Sequence, residues 1–167
     1  MAKARIGIDL GTTNTVVGFV YDDGPAVVPR DAGRIMPSVV EYLASGDIQV
    51  GEPADRAEPE GAVVRSVKRL MGRTWEKAVE EGSDRYFAFE PERPAAVHVR
   101  HRDGHDLTLE ISAPGGAGAL AVFPHEVSAR ILHEARRHAE AAIGTAVEAV
   151  VTVPAQFGEA HRAATLK

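Results

Sequence analysis

The strongest constraint on the fold is the string Ile6-Gly7-Ile8-Asp9-Leu10-Gly11-Thr12-Thr13-Asn14-Thr15. Ile6, Ile8 and Leu10 alternate with Gly7 and Asp9, the period of a half-buried strand. Gly11-Thr12-Thr13-Asn14 reads as a turn. Residues 15–21, rich in β-branched and aromatic side chains, read as the returning strand. Asp22-Asp23-Gly24 is a second tight-turn signal, and residues 26–28 supply a third short strand. A chain with this opening must build a sheet whose first turn carries glycine, hydroxyls and a neighbouring carboxylate.

That turn has the chemistry of a phosphate site. Gly11 is expected to let the backbone come close to a ligand and to adopt a positive φ. The amides of a tight turn can converge on an anion. Thr12 and Thr13 place hydroxyl donors beside them. Asp9 would repel a phosphate unless a cation lay between the two. Mg2+ dehydrates reluctantly, so a single carboxylate acting through waters can hold it. No Gly-Lys-Ser/Thr follows, so this is not a Walker loop. The turn joins strand to strand rather than strand to helix, so it is not a dinucleotide fingerprint.

Further along, Pro37 interrupts the strand pattern, and residues 39–43 and 48–50 predict a hairpin across Ser45-Gly46-Asp47. Residues 52–61 hold two prolines and many charges, leaving room for a short helix at most. Residues 63–71 mix apolar and basic side chains without a clear period, and residues 76–94 read as polar loop. A second ribbon follows: Val97 and Val99, a turn at Arg102-Asp103-Gly104, then Leu107, Leu109 and Ile111 in alternation. Residues 114–118 form a glycine-rich link.

The clearest helix comes next. Pro124 suits its first turn. Val127, Ile131, Ala135, Ala139 and Ile143 recur at i, i+4, with Leu132 and Ala142 beside them, and Gly144 is the stop. Residues 147–153 are a near-continuous apolar run, expected of a strand buried on both faces. Residues 158–167 begin another helix. There is no internal repeat. The order predicts an α/β core built from residues 1–37 and 123–167 and interrupted by a smaller subdomain at residues 38–122.

The formal charge of −5 argues against binding nucleic acid, which needs a basic face. The absence of cysteine excludes disulfides and thiolate-ligated metals. The first residues reach Asp9 before any apolar run develops, unlike a secretory signal. No stretch approaches the ~18 apolar residues of a membrane span. These features predict a cytoplasmic protein without membrane contact. His98, His101 and His105 fall on the second ribbon, but a spacing of three alternates faces in a straight strand and does not build a metal site. His125, His133 and His138 are expected on a helix surface. Read alone, Lys68 among Arg65, Arg69 and Arg73 is a solvated basic edge.

Four segments, in order, resemble the Hsp70 family of chaperones. Ile-Gly-Ile-Asp-Leu-Gly-Thr-Thr-Asn-Thr is similar to that family's first phosphate motif. Met36-Pro37-Ser38-Val39-Val40 resembles the start of its inserted lobe. Ser66-Val67-Lys68-Arg69-Leu70-Met71-Gly72-Arg73 resembles its "KRLIGR" segment, and Ala149-Val150-Val151-Thr152-Val153-Pro154-Ala155-Gln156-Phe157 its "AVITVPAYF". The resemblance implies an actin-like ATPase fold, related to ribonuclease H: a lobe with a mixed sheet and an inserted smaller α+β lobe. It implies ATP/ADP and Mg2+ as cofactors, with Asp9 toward the metal. Gly11, Thr12, Thr13 and Asn14 would lie around the phosphates, and Lys68 would reach the γ-phosphate and place the attacking water, with Asp9, Thr13 and Lys68 as the catalytic set. Phosphoryl transfer needs charge neutralisation and positioning more than covalent chemistry, which suits a compact ammonium.

The resemblance also implies that Pro154 and Arg162 relay nucleotide state, although the surroundings differ. Gln156 stands where the family has tyrosine, Gly158-Glu159 where it has Asn-Asp, and Leu166 where it has lysine. The implied partners of the complete protein are unfolded polypeptide, a J-domain co-chaperone and a nucleotide-exchange factor. The family's ATPase unit is much longer, so these 167 residues are expected to form one wall of the cleft, an incomplete lobe that binds MgATP weakly or not at all and lacks steady turnover. The "SVKRLMGR" string is also similar to the branch serving iron–sulfur cluster assembly. Two other readings are another actin-like ATPase, such as a filament protein or a sugar kinase, and a non-catalytic binding fragment.

Overall fold

A computed structural model of the chain describes residues 4–29, 33–82, 97–101, 107–112, 118–145 and 147–167. The predicted turn at Arg102-Asp103-Gly104, His105 and most of the glycine-rich link lie outside these residues. The opening hairpin is β1 (Ala4–Leu10) and β2 (Asn14–Tyr21), followed by β3 (Gly24–Val27). Alternation sets the faces of β1: Ile6, Ile8 and Leu10 are buried, while Arg5, Gly7 and Asp9 are exposed.

The meander is part of a larger sheet. The short strand β4 (Ile35–Pro37) pairs antiparallel with β2, placing Pro37 opposite Asn14. The proline thus ends a strand rather than separating elements. β11 (Val147–Thr152) runs parallel to β1, from Ala4 opposite Val147 to Asp9 opposite Thr152. The result is a mixed five-stranded sheet in which the path is β11-β1-β2-β3, with β4 beside β2.

Residues between β4 and the long helix make two further antiparallel sheets. β5 (Val39–Tyr42) lies between β6 (Ile48–Val50) and β7 (Ala62–Arg65). β9 (Leu107–Ser112) lies between β8 (Val97–His101) and β10 (Ala119–Val122). The charged stretch before β7 holds a single turn of 3-10 helix at Glu52–Ala54. Its return to the sheet is fixed by Glu41, whose side chain is fully buried on β5. Glu41 Oε1 accepts from the Glu60 and Gly61 amides at 2.6 and 2.7 Å. The unassigned stretch 63–71 resolves into the end of β7 and a second 3-10 helix, Val67–Leu70.

Residues 76–94 are not all loop. α1 (Trp75–Glu80) occupies their start, with the Thr74 hydroxyl accepting from the Lys77 amide as a cap. The rest of that prediction, from residue 83, lies outside the described residues.

α2 (Pro124–Ile143) is the predicted helix. Its start is held by Glu126 Oε2, which accepts from the Phe123 amide at 2.7 Å, and Gly144 closes it with φ 76°. Val127, Ile131, Ala135 and Ala139 are buried as the stripe requires; Ala142 is exposed. The helix packs on β1, β2 and β11, and also on β5, β6, β9 and the second 3-10 helix. α3 (Glu159–Thr165) follows β11.

The expectation for residues 147–153 fails. The apolar run 147–153 is not buried on both faces: Val147 is buried, but Val150 is 65% exposed. Among the described residues β11 pairs along one edge only, with β1. An unbroken apolar run cannot distinguish a central strand from an edge strand with one bare face.

Candidate phosphate-facing site

The hairpin tip is tightly closed. Leu10 and Thr15 are the last paired residues, and the Gly11 amide donates to the Asn14 carbonyl at 3.0 Å. Gly11 is needed here for space, not for a positive φ as the sequence suggested: it is absent from the glycines in that region, and a Cβ would run into the Asn14 carbonyl oxygen. Among the described residues, the hydroxyls of Thr12 and Thr13 make no hydrogen bond, and Thr13 and Asn14 are exposed.

The tip is braced from behind. The Ser38 amide donates to the Thr13 carbonyl at 2.7 Å. One step further in, the Thr15 and Ser38 hydroxyls meet at 2.9 Å, both residues buried. Two segments with separate sequence signals thus form one unit.

Asp9 stands on the exposed face at the carboxyl end of β1. Because β11 is parallel, its carboxyl end lies at the same edge, and the Thr152 hydroxyl donates to Asp9 Oδ1 at 2.9 Å. This is the place where open α/β sheets bind ligands, beyond the carboxyl ends of parallel strands.

Lys68 comes to this edge from the second 3-10 helix. Ser66 initiates that helix in the left-handed region, φ 55°, the only non-glycine residue among those described with a positive φ. Val67 and Leu70 are buried and anchor the turn, which directs Lys68 outward. Lys68 Nζ donates to the Leu10 carbonyl and lies 5.7 Å from the centre of the Phe157 ring. An ammonium has three donors, so two remain for a ligand. Partial burial pushes the Lys68 pKa below its ordinary value, and the negative charge of Asp9 opposes that shift. Lys68 is therefore not merely a member of a solvated basic edge. Its neighbours Arg65 and Arg73 are paired with Asp55 and Glu81.

Pro154 and Arg162 meet through Phe157. The Phe157 amide donates to the Pro154 carbonyl at 3.0 Å, and Arg162 Nε donates to the Phe157 carbonyl at 3.1 Å. Gly72 joins this segment to the lysine's. Its φ is 64°, and a Cβ there would sit 2.6 Å from the Ala160 carbonyl oxygen and from the His161 Cα. Three other histidines take ordinary positions. His101 packs against Trp75 with ring centres 5.9 Å apart, His125 stacks on Phe123 at 5.2 Å, and His138 Nε2 lies 2.9 Å from Glu134.

The structure thus gathers Asp9, Gly11, Thr12, Thr13, Asn14 and Lys68 at one edge. Sequence reasoning had not assigned roles to Thr152, Phe157, Ser38 or Ser66. All four lie inside strings singled out for their resemblance, which was the available signal; nothing in the sequence marks Ser66 as left-handed.

A carboxylate, an ammonium and hydroxyls thus share one edge. Asp9 Oδ1 is held by Thr152 while its carboxylate stays exposed, as a water-mediated cation requires. The family model described as "Hsp70 protein" matches residues 5–167. The chain is 40% identical to the "Chaperone protein HscA homolog" of Burkholderia multivorans and to that of Burkholderia lata, and 39% identical to that of Burkholderia cenocepacia. Each match covers 98% of this chain and 24% of the relative, so the chain spans about a quarter of the length of these curated relatives. Its mixed α/β architecture is part of the actin-like ATPase fold of the Hsp70 nucleotide-binding domain, and the chain belongs to the Hsp70 family.

Proposed function

We propose that this chain supplies the phosphate-facing wall of the ATP site of an Hsp70-type chaperone. The observation that carries the reading is the meeting of Lys68 with the carboxyl end of β1: its Nζ is bonded to the carbonyl of Leu10, which follows Asp9 and precedes the hairpin tip, and it feels the Asp9 charge. In this reading the tip receives phosphate oxygens through the amides and hydroxyls of Thr12 and Thr13, with Gly11 and Asn14 closing the turn around them. Asp9, oriented by Thr152, would hold Mg2+ through waters. The metal would supply charge neutralisation to the phosphates. Lys68 uses its free donors on the γ-phosphate and the attacking water. ATP is converted to ADP and phosphate.

Residues 1–37 and 123–167 form the core subdomain in this proposal, with residues 38–122 inserted. The complete protein would couple turnover to binding unfolded polypeptide, with a J-domain co-chaperone and a nucleotide-exchange factor. It would work in the cytoplasm and in the stress response. The HscA names of the relatives favour the iron–sulfur branch for its clients. The family match argues against a filament protein or a sugar kinase.

A non-catalytic binding fragment is the rival that experiment must separate. In a protein extended to the relatives' length, Lys68→Ala and Thr13→Ala should slow single-turnover hydrolysis far more than they weaken ATP binding by calorimetry. Equal losses of affinity with unchanged turnover would overturn the assignment.

A further inference from the structure

Behind the Lys68–Phe157 contact lies a histidine with unusual surroundings. His161 is in the first turn of α3, and its ring centre is 4.8 Å from that of Phe157, tilted by 31°. Phe157 is therefore in contact with both an ammonium and an imidazole. His161 Nδ1 is buried and has no hydrogen-bond partner. The backbone around it is closely packed, since Gly72 touches the His161 Cα with no room for a side chain.

We propose that His161 is a positioning residue for Lys68, acting through Phe157, and that its neutral form is the one that holds the lysine in place. The proposal rests on the reading of Lys68 as the phosphate-facing lysine. A neutral imidazole can bury one ring nitrogen as an unpaired acceptor at modest cost. A protonated ring would put a charged N–H there with nothing to accept it, which is far more costly.

The charged groups facing the ring add to this. Arg73, following the second 3-10 helix, and Lys77 on α1 both disfavour an imidazolium; Glu81, just past α1, favours it but is shared with Arg73 through an ion pair. On its own segment, Glu159 lies two residues away, and Arg162 is turned to the Phe157 carbonyl. Burial is the largest influence, and the His161 pKa lies below its ordinary value. A histidine depressed on folding is fully accommodated above its unfolded pKa. That stability is lost as pH falls through the folded pKa. Acidification should therefore release His161 from its seat, free the Phe157 ring and let Lys68 leave the end of β1.

The test reads the lysine directly and needs no nucleotide. In the full chain, Lys68 side-chain resonances are followed by NMR from about pH 8 to about pH 5, the range in which histidine titrates. The Phe157 ring current should shift the Lys68 methylene protons upfield at the alkaline end. That shift should be lost on acidification, with the same midpoint as the His161 ring protons. His161→Gln should leave the thermal midpoint at neutral pH nearly unchanged and make the Lys68 shift independent of pH. Phe157→Leu should abolish it throughout. A Lys68 resonance that does not move with pH in the unaltered chain would overturn the proposal, even if the variants fail to fold. So would a pH response that persists in His161→Gln. Loss of hydrolysis by Lys68→Ala concerns the role of the lysine itself, so the two readings fail separately.

Discussion

The Thr152 hydroxyl donates to Asp9 Oδ1 at 2.9 Å, across two parallel strands in register. It orients a carboxylate that otherwise stands in solvent. Thr152→Val keeps the shape and the ladder but removes the donor. Unfolding free energy should change by less than about 1 kcal/mol, the usual scale of one exposed hydrogen bond. The Mg2+-dependent part of nucleotide binding, measured by titration with and without the metal in a protein of the relatives' length, should fall by about threefold to tenfold, while metal-free binding stays the same.

The Thr15–Ser38 hydroxyl pair is buried, so its loss should be strongly non-additive. Ser38→Ala or Thr15→Val alone strands one buried polar group and should cost about 1–3 kcal/mol. The double variant removes both groups together and should cost less than the sum. A urea-denaturation double-mutant cycle measures the difference.

Gly72 is the contact between the Lys68 segment and α3. Gly72→Ala places a Cβ against backbone at 2.6 Å in a left-handed conformation, so the helix itself must move. A loss of about 2 kcal/mol or more is expected from strain of this kind. Amide exchange should show it concentrated in α3, with α2 keeping its protection.

Tyr42 gives an alkaline signature. Burial is the main cause that pushes its pKa from 10.0 up to about 12, with Glu126 adding to the rise and Arg130 opposing it. Above pH 10 the unfolded chain releases this proton while the folded chain keeps it. Stability should therefore fall with rising pH until the folded group also ionises near pH 12. Denaturation at about pH 9 and about pH 11 should show a smaller loss for Tyr42→Phe than for the unaltered chain.

Much of this was legible in the sequence, for identifiable reasons. β1 and β9 announce themselves by alternation, β2 by its β-branched and aromatic side chains, and α2 by a stripe bounded by Pro124 and Gly144. β4 and α1 escaped because three and six residues are too few for a period to develop. The 3-10 helix bearing Lys68 escaped because its geometry depends on a left-handed Ser66, a conformation normally signalled by glycine or asparagine. At the site, the turn was visible as a contiguous string. Thr152 and Phe157 were not, since each acquires its partner only when β11 lies beside β1 and α3 reaches the Lys68 segment. The positive φ expected of Gly11 is not found, and its turn needs clearance from the Asn14 carbonyl instead, because a sequence does not reveal whether a glycine serves torsion or clearance.

The parallel pairing of β1 with β11 also sets when this molecule can finish folding. Asp9 and Thr152 are separated by 143 positions along the chain. At typical synthesis rates of 5–20 residues per second, the first strand waits roughly 7–30 s for its partner to be made. The opening hairpin can form early from local contacts, but its β1 edge stays unpaired through that interval. Contacts of such high sequence separation are also the slow ones in refolding. A ribosome-bound nascent chain would therefore expose the turn from Gly11 to Asn14 long before it could orient the adjacent carboxylate, and the edge proposed for nucleotide would not be complete until translation had passed residue 152.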